Sequence, residues 1–330
     1  NKNRDTLQNN FEIICSKNST GNLIETILLS VICGLIPTSF GLLTLAQINL
    51  SQLRYLFLGL ITYATVALVF LLRSKRLRLG LPHLEKSQFQ WSDLCLLLIL
   101  FLGVFSFGKP TEYVTTQRDP GKYTNIAIQL AQVKGLSFQE PDIQNYDSDK
   151  QKLFLSTPID QNLYSEVIPG FRLVNLDEGR MLPQFLHLFP LWLSLAFKLY
   201  KFEGLFALNI ILSLLSLLIV VHIAIYTFQS KMVGLLSATL LSLNLSQIWL
   251  ARSPFSEVLA QVFILSCIWL LGLSIEKKQT GLSFLSGLIL GMALLVRIDS
   301  FLVLLPTLMF YLLWKSKQRS TFFSLGKPFL

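Results

Sequence analysis

The feature that most constrains this chain is a series of apolar runs long enough to cross a lipid bilayer. A transmembrane helix needs about 20 predominantly apolar residues. Lipid tolerates only helices or closed barrels, and the runs lack the alternation of polar and apolar residues typical of strands. We therefore predict an all-α fold, a polytopic transmembrane bundle of about 8–9 apolar helices. The runs lie at 23–45, 53–72, 92–108, 205–228, 232–250, 256–274, 282–296 and 300–314, with a shorter run at 183–200.

Composition and charge support a membrane protein. Only 14% of the residues are charged, whereas soluble domains carry roughly 25%. The net charge is +9, and basic residues form short clusters at run ends: RSKRLR at 73–78, KK at 277–278 and KSKQR at 315–319. Such clusters mark cytoplasmic loops. The charge therefore indicates topology and no nucleic-acid partner, and we expect a multi-pass protein of the plasma or inner membrane.

The basic clusters also suggest a division of the chain. Residues 1–90 form an N-terminal membrane hairpin and a basic cytoplasmic loop, and residues 91–330 form the main transmembrane module. With the clusters inside, the first loop of that module, 109–182, is extracytoplasmic. The chain begins at Asn1 and stops at Leu330 within an apolar stretch, so we expect both ends to be truncated.

The same assignment predicts which turns face the outside loop. RSPFSE at 252–257 and VRIDS at 296–300 fall on the outer side, whereas QSK at 229–231 falls inside. An odd number of crossings must separate the outside loop from QSK, so we expect the proline-interrupted run 183–200 to be re-entrant or interfacial. If that run spans fully, RSPFSE moves to the cytoplasmic side and leaves any shared site.

The outside loop is the main polar region of the chain and contains an amphipathic segment. It holds ten of the nineteen acidic residues. Its apolar residues at 123, 126, 127, 130 and 131 have the spacing of one helical face. Asp119 and Pro120 open this helix, and aspartate and proline are favoured as its N-cap and first residue. The other interpretation of Asp119 is a catalytic carboxylate, which capping would hold in a fixed direction.

Four segments together resemble the GT-C glycosyltransferases. The first is the acidic residue followed by Y-x-x-x-A-x-x-L-A and a glycine, residues 119–135; the others are GRMLPQFLHLFPLWLSLAFKLYKFEG, LARSPFSEVLAQ and LSGLILGMALLVRIDSFLVLLP. The resemblance is closest to the branch of the protein O-mannosyltransferases and lipid A aminoarabinose transferases, which is glycosyltransferase family 39-like. It covers residues 92–310.

Two features depart from that family's pattern. The family often has Asp-Glu at the start of the loop, whereas Asp119 is followed by Pro120 and Gly121. Any role of the second acidic residue, including metal binding, therefore has no counterpart here, and a divalent metal is left open with no cofactor assigned. The apolar pair at 23–45 and 53–72 is also additional to the family's usual core.

The resemblance implies transfer of a sugar from a polyprenyl-phosphate donor to an acceptor hydroxyl at the extracytoplasmic face, as in cell-envelope synthesis. The acceptor would be a lipid, a glycan or a protein, and membrane lipids would surround the site. An acceptor hydroxyl needs a general base, and Asp119 is the candidate. The departing phosphate needs cations, and Arg118, Lys122, Arg252 and Arg297 are the candidates.

Several further residues are candidates for substrate or phosphate binding, each with an ordinary structural alternative. Tyr123 belongs to the helical motif that carries the resemblance. His187 either binds phosphate or metal or is structural. Glu257, with Arg252 on the same turn, either joins the site, serves as an interfacial anchor or forms a local ion pair. Asp299, with Arg297, either joins the site or anchors the end of a helix at the membrane face.

A transporter or lipid flippase without glycosyl transfer is the alternative function. Its function would depend on charges at mid-membrane, whereas the apolar runs here are nearly free of central charge and the acidic residues gather in one loop. Glu25, near one end of the first run, is the exception. The acidic loop therefore favours the enzyme.

Overall fold

The computed structural model is mostly helical. It describes residues 19–50, 91–114, 118–133, 135–147, 169–175, 178–303, 306 and 309. The predicted run 53–72 and most of 300–314 lie outside the described residues. The described helices are α1 (Ser19–Gln47), α2 (Trp91–Phe107), α3 (Asp119–Gln132), α4 (Pro141–Gln144), α5 (Leu188–Phe228), α6 (Lys231–Leu243), α7 (Leu245–Arg252), α8 (Ser256–Lys277) and α9 (Thr280–Val296).

Among the described residues, three helices are long and apolar enough to cross a membrane. These are α1 from Ile27, α5 and α8. The pair α6 and α7 would make a fourth as one broken span, since the two are bent by 64°. Helices α2 and α9 are apolar but have only 17 residues each. The predicted number of 8–9 helices thus stays a prediction.

Helix α5 is interrupted where two apolar runs were predicted to be separate. Tyr200 and Lys201 have non-helical backbone angles, with φ of −137° and 53°. At Gly204 a Cβ atom would lie 2.3 Å from the carbonyl oxygen of Ala196, so the glycine permits the two arms to approach. The arm before Tyr200 is about 18 Å long, well short of the roughly 30 Å hydrocarbon core. Its placement relative to the membrane stays a prediction.

A second break, between α6 and α7, is specified by an asparagine. The side chain of Asn244 accepts a hydrogen bond from the backbone N–H of Gln247 at 3.0 Å and so caps α7. The side-chain amide of Gln247 in turn donates to the hydroxyl of Ser213 of α5 at 3.2 Å. The predicted run 232–250 is therefore two helices.

Helices α8 and α9 form an antiparallel hairpin that builds much of the core. Trp269 and Ile289 are buried in it. Serines bring the two backbones together: Ser274 and Ser283 share a 2.6 Å hydrogen bond, and Ser286 donates to the carbonyl of Cys267 at 2.8 Å. Because the hairpin is antiparallel, α8 begins at the same end at which α9 finishes. We call this the site end of the bundle.

The predicted outside loop contains a small antiparallel sheet, which corrects the all-α prediction. Strands β1 (Phe138–Gln139), β2 (Phe171–Asn175) and β3 (Arg180–Pro183) are arranged in the order β1-β3-β2. Met181 of β3 lies opposite both Phe138 and Leu173. Strands of two to five residues are too short to give a clear alternating signal, which is why the sequence did not reveal them.

Helix α3 lies between this sheet and the first arm of α5. Its buried Ile126 and Leu130 share a core with Met181 and Leu191. The turn before β2 packs directly on the backbone of α3. At Gly170, where φ is +96°, a Cβ atom would lie 2.7 Å from the carbonyl oxygen of Lys122. The sheet and α5 thus fix the direction of α3 from two sides.

Candidate active site

A polar cluster at the site end joins three separate segments of the chain. Fully buried Ser256, the first residue of α8, is its centre. The Tyr123 hydroxyl of α3 lies 3.0 Å from Ser256 Oγ. Arg297, which follows α9, donates to the same Oγ at 3.3 Å and pairs with Glu257 at 2.6 Å. We define the polar cluster as Tyr123, Ser256, Glu257, Arg297 and Asp299.

Asp299 and Arg297 form a bidentate ion pair. The Arg297 Nε atom donates to Asp299 Oδ1 at 2.9 Å, and Nη2 donates to Oδ2 at 2.7 Å. These hydrogen bonds raise the pKa of Arg297 and lower the pKa of Asp299. Both groups are therefore charged at neutral pH, and the guanidinium is oriented before any substrate arrives.

Tyr123 is held by aromatic packing as well as by its hydroxyl. Its ring stacks on Phe185 with a centroid distance of 4.4 Å and meets Phe189 edge-on at 5.0 Å. Burial, as the largest cause, raises the pKa of Tyr123 to about 12, and the charge of Glu257 adds to this. Tyr123 is thus a neutral hydroxyl that can donate a hydrogen bond at physiological pH.

Asp119 lies one helical turn before Tyr123 and is exposed. Its carboxylate is near enough for its charge to raise the pKa of Tyr123, although by less than burial does. The predicted N-cap role is wrong: the N-cap is Arg118, and no side chain makes a cap hydrogen bond. The helix starts one residue earlier than expected, since the Lys122 N–H already donates to the Arg118 carbonyl at 3.1 Å.

Arg252 does not hydrogen bond to the polar cluster. Its Nε and Nη2 atoms both donate to the carbonyl of Ser106, at 2.9 and 2.6 Å. The Arg252 carbonyl accepts from the backbone N–H of Thr111 at 2.7 Å. The guanidinium therefore satisfies the C-terminal end of α2 and links α2 to α7. Of the residues predicted to converge, Glu257 and Arg297 pair with each other beside Tyr123, and Arg252 makes a structural contact. Convergence of Asp119 with them stays a prediction.

The other predicted binding residues surround the start of α3. Arg118 is exposed and Lys122 is half-buried. The ring of His187 hydrogen bonds through Nδ1 to the carbonyl of Phe185 at 2.9 Å, so it supports the residue that stacks on Tyr123. Within the described ranges, no group of three or more His, Cys, Asp or Glu side chains could hold a metal ion.

Ser256 is the residue of the cluster that sequence reasoning missed. It stands inside the predicted RSPFSE turn, directly before Glu257, but a serine next to an acid carries no signal of its own. A cavity of about 600 Å³ lies between the segment that follows α2 and the second arm of α5. It is lined by Gly108, Pro110, Glu112 and Val114 on one side and by Phe202, Glu203, Phe206, Ala207 and Ile210 of α5 on the other.

Residues 185–330 match the family model described as dolichyl-phosphate-mannose-protein mannosyltransferase. The match confirms the predicted resemblance to the GT-C glycosyltransferases over residues 185–330, and the segment 119–135 lies outside it. We call 185–330 the mannosyltransferase-like segment. The match supports a membrane glycosyltransferase that uses a lipid-linked sugar donor. Comparison of the chain with the curated proteins and with the solved structures gave no match.

The mannosyltransferase-like segment supplies only part of the polar cluster. Ser256, Glu257, Arg297 and Asp299 lie inside it, whereas Tyr123 comes from the preceding loop. The hydrogen bond between Tyr123 and Ser256 therefore joins the matched segment to α3.

Proposed function

We propose that this chain transfers a sugar from a polyprenyl-phosphate donor to an acceptor hydroxyl at the extracytoplasmic face of the membrane. The observation that carries the proposal is the 3.0 Å hydrogen bond that ties Tyr123 of α3, one turn after Asp119, to Ser256 of α8, beside the pair of Arg297 and Glu257. Three segments distant in sequence thus bring carboxylates and a guanidinium to one end of the bundle. A lipid-linked donor keeps its chain in the bilayer, so its sugar would meet the protein at such an end.

The proposed role of Asp119 is that of general base. Its carboxylate would take the proton of the acceptor hydroxyl while the hydroxyl oxygen bonds to the anomeric carbon of the sugar. In the same step the bond between that carbon and the phosphate oxygen breaks, and the polyprenyl phosphate departs. Attack from the face opposite the departing phosphate would invert the sugar configuration. Exposure suits this role, because an acceptor must reach the carboxylate. A positioned base contributes typically 10²–10⁴-fold to the rate.

The charges indicate how the departing phosphate would be stabilised. Arg297 is already paired with Glu257 and Asp299, so it cannot by itself neutralise a phosphate. We therefore assign Arg297 to orienting Ser256 and Glu257. Arg118 and Lys122, at the N-terminal end of α3, are the cations proposed to meet the phosphate, together with the partial positive charge of the helix N-terminus.

The cavity beside α5 is the proposed space for the reacting sugar or acceptor. Its volume of about 600 Å³ is within the range of small-molecule sites, roughly 300–1,000 Å³. Glu112 and Glu203 offer acceptors for sugar hydroxyls, and Phe202 and Phe206 offer apolar ring surfaces. This composition suits a sugar better than a phosphate, which the two carboxylates would repel.

The test is sugar transfer by the full-length protein from a polyprenyl-phosphate sugar, with Asp119→Asn and Asp119→Ala. Asparagine keeps the size of the side chain but cannot accept the proton, so we expect both variants to lose about 10²-fold or more of turnover. The matched control is Asp142→Asn, which removes an exposed carboxylate in the first turn of α4, in the same loop. Wild-type turnover in Asp119→Asn would reject the base assignment.

A further inference from the structure

A single buried asparagine holds the turn that leads into the polar cluster. Asn209 lies within apolar helix α5 and is only 1% exposed. Its side-chain NH₂ group donates to the backbone carbonyls of Ser253, of Phe255 at 2.9 Å and of Leu250 at 3.4 Å. We call residues 250–255 the α7–α8 turn. The backbone N–H of Ser253 also donates to the Leu250 carbonyl, and that of Phe255 to the Ser253 carbonyl, so Asn209 adds a side-chain donor from α5 to a turn that bonds within itself.

The α7–α8 turn is also held from its other side. Arg252 donates to the carbonyl of Ser106, and its own carbonyl accepts from Thr111. Asn209 therefore attaches the turn to α5 while Arg252 attaches it to α2 and the segment that follows. The Asn209 side chain donates to three carbonyls of the turn, two before Pro254 and one after it.

The position of this turn determines where α8 begins. Ser256 follows Phe255 directly, and Ser256 and Glu257 make the contacts to Tyr123 and Arg297 at 3.0 and 2.6 Å. Hydrogen bonds weaken steeply beyond normal distances, so a displacement of about 1 Å would break both. The placement of the cluster thus depends on the turn, which Asn209 holds on the side of α5.

We propose that Asn209 is a positioning residue, which sets Ser256 and Glu257 against Tyr123 and Arg297 by holding the α7–α8 turn. Its effect on turnover rests on the proposed function, whereas its hold on the turn does not. Asn209 does not itself touch the polar cluster in the described contacts, so it acts through the backbone of the turn.

The experiment uses the full-length protein in lipid nanodiscs with two substitutions and one control. Asn209→Leu has a similar volume and no donor, and Asn209→Asp keeps the shape but places a carboxylate before the carbonyls. The control is Ser216→Ala. Ser216 is a fully buried polar residue of the same helix, and among the described residues its side chain donates within α5, to the carbonyl of Leu212. Fluorine NMR of fluorotryptophan reports on the turn, because Trp249 packs on Phe255 with a centroid distance of 4.7 Å.

We expect the Trp249 resonance, assigned with Trp249→Phe, to shift or broaden in both Asn209 variants and to stay unchanged in Ser216→Ala. The resonance of buried Trp269, elsewhere in the core, should not move. Sugar transfer should fall about tenfold to hundredfold in the Asn209 variants and stay within about twofold in the control. If Asn209→Leu fails to fold, Asn209→Asp decides the question.

An unchanged Trp249 resonance in a folded Asn209 variant would overturn the proposal, as would an equal change in Ser216→Ala. A moved resonance with full sugar transfer would overturn the positioning role while leaving the Asp119→Asn result to judge the enzyme. If the wild-type protein transfers no sugar, the proposed function fails, and the Trp249 resonance still decides whether Asn209 holds the turn.

Discussion

At the scale of single residues, the polar cluster works through pairs that no short sequence window contains. Tyr123 and Ser256 are 133 positions apart and share a buried hydrogen bond. Arg297 reaches Ser256 across 41 positions. In contrast, the pair of Arg297 and Asp299 is local and could be anticipated from VRIDS. The local pair orients the guanidinium. The Tyr123–Ser256 pair attaches α3 to the bundle, and the Arg297–Ser256 pair joins the segment after α9 to α8.

The hydrogen bond between Tyr123 and Ser256 should be measurable as a coupling. We expect Tyr123→Phe and Ser256→Ala each to lower the free energy of unfolding by about 1 kcal/mol. The double variant should lose less than the sum, with a coupling energy of at least about 0.5 kcal/mol. Denaturation of the purified protein in mild detergent measures this. Additive losses would mean that the two hydroxyls do not interact.

The pKa of Asp299 predicts an acid-dependent loss of stability. Because Arg297 lowers this pKa in the folded protein, the stabilisation is fully present above the unfolded value of about 3.9 and is lost as the pH falls through the folded value. Asp299 is more than half exposed, so we expect less than about 1 kcal/mol. The thermal unfolding temperature of Asp299→Asn should be lower than that of the wild type at pH 7. The two temperatures should converge as the pH falls below about 4. A difference in unfolding temperature between variant and wild type that stays constant over this pH range would contradict the assignment.

At the scale of elements, the breaks in the helices decide which side chains can meet. The break in α5 at Tyr200 and Lys201 allows its first arm to pack on α3 while the rest enters the bundle. The break after Asn244 turns α7 by 64° relative to α6. The break after Asn244 falls within the single predicted run 232–250, whereas the break in α5 falls where the sequence already separated the runs 183–200 and 205–228.

Substitution of Gly204 tests the break in α5. An alanine Cβ would lie 2.3 Å from the Ala196 carbonyl and 2.8 Å from Tyr200 Cβ, so we expect Gly204→Ala to lower the free energy of unfolding by more than about 1 kcal/mol, although alanine is the better helix former. The control is Gly272→Ala in α8, where a Cβ meets nothing within 4 Å. It should be neutral or stabilising. Equal thermal shifts in both variants would argue against close approach of the two arms.

At the scale of the whole molecule, polar contacts secure the two ends of the described bundle. At the site end lies the polar cluster. At the opposite end, buried Glu25 of α1 pairs with Lys277 of α8 and accepts a hydrogen bond from Tyr226 of α5 at 2.8 Å. This pairing accounts for Glu25, the acidic residue in the first apolar run. It is a link between helices, so it does not by itself favour a transporter.

The proposed orientation can be tested with single cysteines. Cysteines at Glu178 and Lys278, both exposed, would be introduced into a chain without its own cysteines. A membrane-impermeant maleimide should label position 178 in intact cells and label position 278 only after permeabilisation. The reverse pattern would move the polar cluster to the cytoplasmic face, and labelling of both in intact cells would show that the two turns share one side.

The sequence by itself determined the membrane class, most helix positions within a few residues and the glycosyltransferase resemblance, because apolar periodicity and short motifs are local properties. It also pointed to Asp119, Glu257 and Arg297. Only the tertiary structure decided that Arg252 holds a helix end, that Ser256 is the centre of the cluster and that Asn209 supports the turn before it. These roles depend on which backbone carbonyls and hydroxyls face each other across helices, and such contacts form only after the chain has packed.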